Sequence, residues 1–177
     1  ISSPADALAN GIGYLPRDRD QEGLIIIHSI KNNICLPILN IVSRLFGTIS
    51  IKAKKKIADK FFHRLNIRAK DIEVTCINLS GGNRQKVVFA KLMATEVDIM
   101  ILNHPTRGVD VGAKQEFYTL MQDFVKRGLS IIVVSDELPE LIGMSDRIII
   151  MRDGRLVYIS KPGEQPQEEQ LVRYMLK

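Results

Sequence analysis

The sequence predicts an α/β protein: a fragment of parallel sheet joined to a helical subdomain. Three observations carry this. Residues 98–102 and 131–134 are short, nearly unbroken apolar runs, as buried strands are. Between them Val111–Lys126 has helical periodicity and stops at Gly128. Strand, helix and strand at that spacing form a βαβ unit, whose crossover makes the strands parallel.

The remaining elements follow in chain order. A strand is expected at 11–15, ahead of a polar, charged stretch at 16–22. Gly23 is a turn residue before the apolar run 24–27. Pro37 interrupts the apolar stretch 30–47 and leaves short helical or irregular pieces. Ile51, Ile57, Phe61, Phe62 and Leu65 recur at near-helical spacing. Ser80 is placed to cap a helix that runs through Lys86 to about residue 94. Downstream, a short helix is expected at 137–142, then strands at 147–151 and 156–159 joined by a turn at Asp153-Gly154. Residues 166–177 read as a closing amphipathic helix. The expected division is a helical subdomain at about 24–94, a distal α/β core at about 95–160 and a C-terminal helix at about 165–177.

Composition narrows the function classes. A chain of 177 residues, 45% hydrophobic and 25% charged, suits one globular domain or a piece of one. No apolar run approaches the roughly 20 residues that span a bilayer. The start, Ile1-Ser2-Ser3-Pro4, has neither the basic nor the apolar segment of a signal peptide, and without an initiator Met the chain reads as part of something longer. Cys35 and Cys76 fit reduced thiols, and His28, His63 and His104 show no ligand spacing, so no metal site is expected. The net charge of +5 admits nucleic acid, anionic lipid or nucleotide phosphate without choosing among them. Lys52, Lys54, Lys55 and Lys56 read as a solvated helix face, and no aromatics interleave with them as a stacking surface would need. The acidic run Asp18 to Gly23 only superficially suggests a calcium loop, because Ser29 stands where the closing Glu would be.

Most of the chemistry lies in Leu79-Ser80-Gly81-Gly82-Asn83-Arg84-Gln85-Lys86. A hydroxyl and two glycines stand where a helix begins. Glycines let an anion approach the main chain, and first-turn N–H groups with the helix dipole favour negative charge. Alone, these residues also fit a plain cap and turn.

They are followed by Ile99-Met100-Ile101-Leu102-Asn103-His104-Pro105-Thr106, Arg107-Gly108-Val109-Asp110, Ile131-Ile132-Val133-Val134-Ser135, Ser145-Asp146-Arg147-Ile148 and Asp153-Gly154. Over nearly its whole length this series resembles the ATP-binding-cassette (ABC) ATPases, and implies the C-terminal part of an ABC-type P-loop NTPase domain. Leu79 to Gly82 match the family's signature, Ile99 to His104 the Walker B strand, and Val109-Asp110 the D-loop. The variants Gly82 to Lys86, Thr106 to Lys114, and Pro16 with Asp18-Arg19 are similar to the second nucleotide-binding half of ribose, galactose and arabinose importers.

Departures from the pattern shape the expected activity. No GxxxxGK[ST] occurs, so the chain reads as lacking the Walker A region and as beginning after it. Asn103 replaces the Walker B carboxylate, a neutral and weaker ligand for a hard cation. His104 stands at the catalytic glutamate position; an imidazole can act as a base, but a lost catalytic residue is the simpler reading. Asp136 stands at the switch-histidine position, and Arg17 where an acid often precedes Asp18-Arg19. The chain alone is therefore expected not to hydrolyse ATP.

The resemblance implies ATP shared with a partner cassette or a fused first half, with Mg²⁺ held by that partner. Ser80, Gly81, Gly82 and Asn83 would face the nucleotide, and Asp110 would lie at the interface between cassettes. It further implies a membrane permease touched by the helix-rich lobe, a sugar-binding protein acting indirectly, and a place on the cytoplasmic face of the bacterial inner membrane. The sugar itself is not legible. With part of the sheet uncovered, the isolated chain is expected to self-associate. Two rival readings stand beside this one: a vestigial or regulatory cassette that binds partners without catalysis, and a basic nucleic-acid-binding module.

Overall fold

A computed structural model describes residues 1–42 and 49–176, the side chain of Ile41 excepted. The expectation for 30–47 therefore falls partly outside the described residues, as does Lys177 in the closing helix. The chain divides into two compact units, Ile1–Val134 and Ser135–Lys177.

In the first unit, β1 (Ile12–Leu15), β2 (Ile99–Asn103) and β3 (Ser130–Val134) form a parallel sheet in the order β1-β2-β3. The register aligns Gly13, Met100 and Ile131, and likewise Leu15, Leu102 and Val133, on one face. Helix α5 (Gly81–Met93) packs on that face so closely that a Cβ on Gly13 would lie 2.3 Å from Leu92 Cδ1. Helix α6 (Val111–Lys126) joins it through Phe89, which stacks on Phe117 at 5.3 Å and tilts against Phe124 at 6.1 Å. The sequence reading of buried strands holds for this face only. The other face carries Tyr14, Ile101, Ile132, Asn103 and Val134, and Tyr14, Ile132 and Val134 are 53%, 53% and 47% exposed.

The rest of the first unit is mainly helical. Helix α1 (Pro4–Ala9), unforeseen from sequence, starts with Pro4 in its first turn and with Ser3 Oγ accepting from the Asp6 N–H. A π-helical turn, Arg19–Gly23, follows β1. Then come α2 (Ile30–Cys35), a 3-10 turn through Pro37 and α3 (Leu39–Val42), the broken pieces that Pro37 predicts. Helix α4 (Ile51–Arg64) buries Ala58 and Phe61 beside Ile30, Ile34 and Ile38 in the core of this lobe. The apolar run 24–27 is irregular, and Asn33 holds its Ile25 backbone, accepting from the N–H at 2.8 Å and donating to the carbonyl at 3.0 Å.

The second unit holds α7 (Leu138–Met144), the hairpin β4 (Ile149–Arg152) and β5 (Arg155–Ile159), and α8 (Glu168–Leu176). Its turn residues Asp153 and Gly154 both have positive φ, 49° and 73°, as a tight two-residue hairpin turn requires. Ile148, Ile150 and Leu171 form its small core, and Tyr158 stacks on Tyr174 at 4.6 Å.

Candidate functional site

Ser80 caps α5 and is exposed at its start. Its Oγ accepts the Asn83 N–H at 3.4 Å and the Asn83 side-chain amide at 2.9 Å. A hydroxyl has two acceptor lone pairs and one proton, so Asn83 fills the acceptor sites and leaves the proton to be donated outward. Beside it, Gly81 and Gly82 supply first-turn N–H groups that an α-helix cannot satisfy internally. The arrangement is a cluster of donors at the positive end of a helix of 13 residues.

The residues after Ser80 each reach a different part of the first unit. A Cβ on Gly82 would sit in ordinary contact with Ala113 and Val109, at 3.6 and 3.8 Å. Asn83 Oδ1 accepts from the Arg68 N–H at 2.7 Å. Arg84 pairs with Asp20 at 2.8 Å. Gln85, buried, donates to the Pro105 carbonyl at 2.7 Å. Lys86, also buried, pairs with Glu116 and donates to the Asn66 carbonyl at 3.1 Å, while Glu116 also meets Arg68 at 3.5 Å. A short stretch of sequence thereby sets the position of the helix start against the β2–α6 loop and α6 itself.

Asp110 is exposed and caps α6, accepting from the Ala113 N–H at 2.9 Å. It belongs to the same loop as Val109, the neighbour of Gly82, so the segments that the resemblance matches to a signature and a D-loop lie side by side.

Asn103 and His104 form a separate cluster at the end of β2. The Asn103 amide donates to the Tyr14 hydroxyl at 2.9 Å on the open face of the sheet. His104 has φ 51°, and both its N–H, at 2.7 Å, and its Nδ1, at 3.1 Å, meet the Val134 carbonyl. A carbonyl only accepts, so Nδ1 is the donor in this contact. Asp136 lies exposed in the second unit, and Arg17 is exposed after β1. Asp18 accepts from the Asp20 and Gln21 N–H groups, and Asp20 is engaged by Arg84, so these carboxylates hold the turn together. Lys52, Lys55 and Lys56 are exposed on α4, whereas Lys54 bonds Asn32 at 2.8 Å.

Sequence reasoning missed Asp20 and Glu116 as parts of this site, and quoted Arg19 and Gln85 within motifs without the contacts they make. Their partners lie 20 to 89 residues away in hydrogen-bonded pairs such as Gln85–Pro105 and Arg19–Gly108, a separation that no local pattern encodes.

A family profile described as "ABC transporter" matches residues 3–107. The ribose import ATP-binding protein RbsA of Caldanaerobacter subterraneus subsp. tengcongensis is 44% identical over 169 residues, 96% of this chain and 33% of that protein. RbsA of Bacillus subtilis is 46% identical over 156 residues, 88% of this chain and 31% of that protein. The xylose import ATP-binding protein XylG of Thermoanaerobacter pseudethanolicus is 44% identical over 169 residues, 96% and 32% of the two chains. The chain thus spans about a third of the length of the curated relatives it matches. Among solved structures, the dimeric ATP-binding cassette MJ0796 in a post-hydrolysis state with ADP and Pi has a TM-score of 0.70 at 22% identity, covering 85% of this chain and 62% of that one. A nucleotide-free ATP-binding cassette from an ABC transporter has a TM-score of 0.73 at 14% identity, covering 98% and 68%. At these identities the structural likeness speaks for the fold.

Proposed function

Because this chain belongs to the ABC transporter family, we propose that it is an ATP-binding piece of a bacterial sugar importer that offers its signature in trans to ATP held by a partner cassette. The single observation that carries this is the exposed Ser80, whose oxygen is saturated by Asn83 so that its proton is free for an anion. The Ser80 hydroxyl and the Gly81 and Gly82 N–H groups donate to the terminal phosphate oxygens of that ATP, stabilising charge that develops as the phosphoanhydride bond breaks. Asp110 faces the partner beside them.

The chain's own Walker B positions do not suit Mg²⁺. A neutral amide at Asn103, already bonded to Tyr14, and an imidazole at His104 replace the carboxylates a hard cation prefers. Mg²⁺ is therefore assigned to the partner, and no turnover to the chain alone. Its relatives' names support ribose or xylose import, with a permease on the helix-rich side and a sugar-binding protein beyond it. An apolar groove of 360 Å³, lined among others by Leu8, Pro16, Leu36, Pro37, Val88 and Lys91, is a surface of the kind a permease segment would fill. Its place would then be the cytoplasmic face of the inner membrane.

The departures at Asn103, His104 and Asp136 also favour a second reading, a regulatory cassette that binds a partner without assisting hydrolysis. Mixing decides between them. The chain is titrated into a partner cassette that carries a phosphate loop and Walker B carboxylates, and phosphate release is followed. Stimulation is expected, with Ser80→Ala reducing it by about 10²-fold. Binding without stimulation supports the regulatory reading, and stimulation indifferent to Ser80→Ala removes the proposal. Phosphate release by the chain alone that vanishes in His104→Ala would show that His104 works.

A further inference from the structure

The sequence singles out Arg19 only as a neighbour of Asp18, yet its side chain lies directly behind the signature turn. Asp18 Oδ1 accepts from the N–H groups of Asp20 and Gln21, both at 3.0 Å, and fixes the turn from which Arg19 projects. Arg19 Nη1 donates to the Arg107 carbonyl at 2.7 Å, and Nη2 reaches the Gly108 carbonyl at 3.4 Å. The side chain is only 17% exposed, and its Nε is shielded from water without a hydrogen-bond partner. Gly108, at φ 65°, belongs to the left-handed region that favours glycine.

Gly81 meets the same guanidinium from the other side. A Cβ there would lie 2.8 Å from Arg19 Nη2 and 3.2 Å from the Gly108 carbonyl oxygen. Gly81 is not among the glycines with positive φ, so its backbone would accept a side chain. What crowds one is the Arg19 guanidinium together with the Gly108 carbonyl that it holds. Asp20 joins the two arms: Oδ2 accepts from Arg84, on the Ser80 helix, at 2.8 Å, and Oδ1 lies 3.9 Å from Arg19 Nε. Two arginines share one carboxylate, which leaves positive charge behind a turn that is to meet phosphate.

We infer that Arg19 is a positioning residue: it clamps the loop of Arg107, Gly108 and Asp110 to the start of α5, so that Ser80 and Asp110 meet a partner as one surface, and the guanidinium and the carbonyl it holds crowd the place of a side chain at Gly81. The inference rests on the reading that Ser80 acts in trans.

The test has two arms on the full chain. In the chain alone, Arg19→Ala speeds hydrogen exchange in the peptide covering residues 104–112 without lowering the unfolding midpoint. Mixed with an active partner cassette, Arg19→Ala lowers kcat for phosphate release about tenfold to a hundredfold and leaves KM for ATP, gripped by the partner, within about twofold. Gly81→Ala, which presses on both the guanidinium and the Gly108 carbonyl, also lowers kcat, and the double variant loses less than the sum of the single losses, because both disturb the same contact. Unchanged exchange, unchanged kcat, or additive losses overturn the clamp. If Ser80→Ala abolishes stimulation while Arg19→Ala is silent, the clamp alone falls. If Ser80→Ala is itself silent, the reading in trans falls and the catalytic role of the clamp with it, while exchange in the chain alone still decides whether the clamp exists.

Discussion

Ser80 offers a proton rather than a lone pair because Asn83 brings two donors to its oxygen, and that asymmetry can be reversed almost without changing shape. Asn83→Asp keeps the acceptor for the Arg68 N–H but replaces the amide donor with a second acceptor, which draws the Ser80 proton inward. A carboxylate in the first turn also stabilises a helix by roughly 0.5 kcal/mol. The variant is therefore expected to lose partner stimulation as Ser80→Ala does while melting no lower; stimulation at the parent level would show that the direction of this bond is irrelevant. Cys76 makes a different residue-scale case. It is fully buried, accepts from the Asn33 amide at 3.3 Å, and burial pushes its thiol from 9.0 up to about 11. Since the folded state raises this pKa, the neutral thiol's contribution is complete below pH 9 and is lost as pH rises through about 11. Denaturant titrations at pH 8 and 11 should show the parent losing on the order of 1–3 kcal/mol more than Cys76→Ala across that interval. Equal losses would mean the thiol ionises as freely folded as unfolded.

Helix α5 ties the first unit together as an element, since successive side chains after its cap contact different segments. Gln85 is the most enclosed of these ties, 2% exposed and bonded to the Pro105 carbonyl. Gln85→Ala leaves that carbonyl buried and unpaired and should cost about 1–3 kcal/mol in denaturant unfolding. A change within a few tenths would mean that water takes over the bond. The elements themselves were largely legible in sequence, because the strands are short runs rich in apolar residues and the long helices have an apolar stripe bounded by a cap or a glycine. Helix α1 was not, being too short for periodicity and marked only by Ser3 and Pro4. The apolar run 24–27 was legible as a run but not in its packing: Leu24 is buried, while Ile27 is 70% exposed. Ser80 and Asp110 were legible as caps. The adjacency of Arg19 to Gly81 was not, since it arises only when β1 and β2 pair and bring the turn after β1 under α5.

Taken whole, the first unit has a parallel sheet covered on one side. Such sheets normally bury both faces, and exposed contiguous apolar surface of this kind drives association. The open face presents Tyr14, Ile101, Ile132 and Val134, with Asn103 the polar residue among them. A net charge of +5 opposes contact between copies, and that repulsion is screened by salt, whereas the apolar attraction is not. Light scattering on the pure chain at on the order of 10 µM should therefore give a mass above that of one chain, rising with ionic strength. Ile132→Lys with Val134→Lys should return it to one chain at every salt concentration, because charges on the β3 part of the face are costly to desolvate against another copy. If the parent stays a single chain in high salt, or if the double variant associates as strongly as the parent, the sheet face is not the surface through which copies meet.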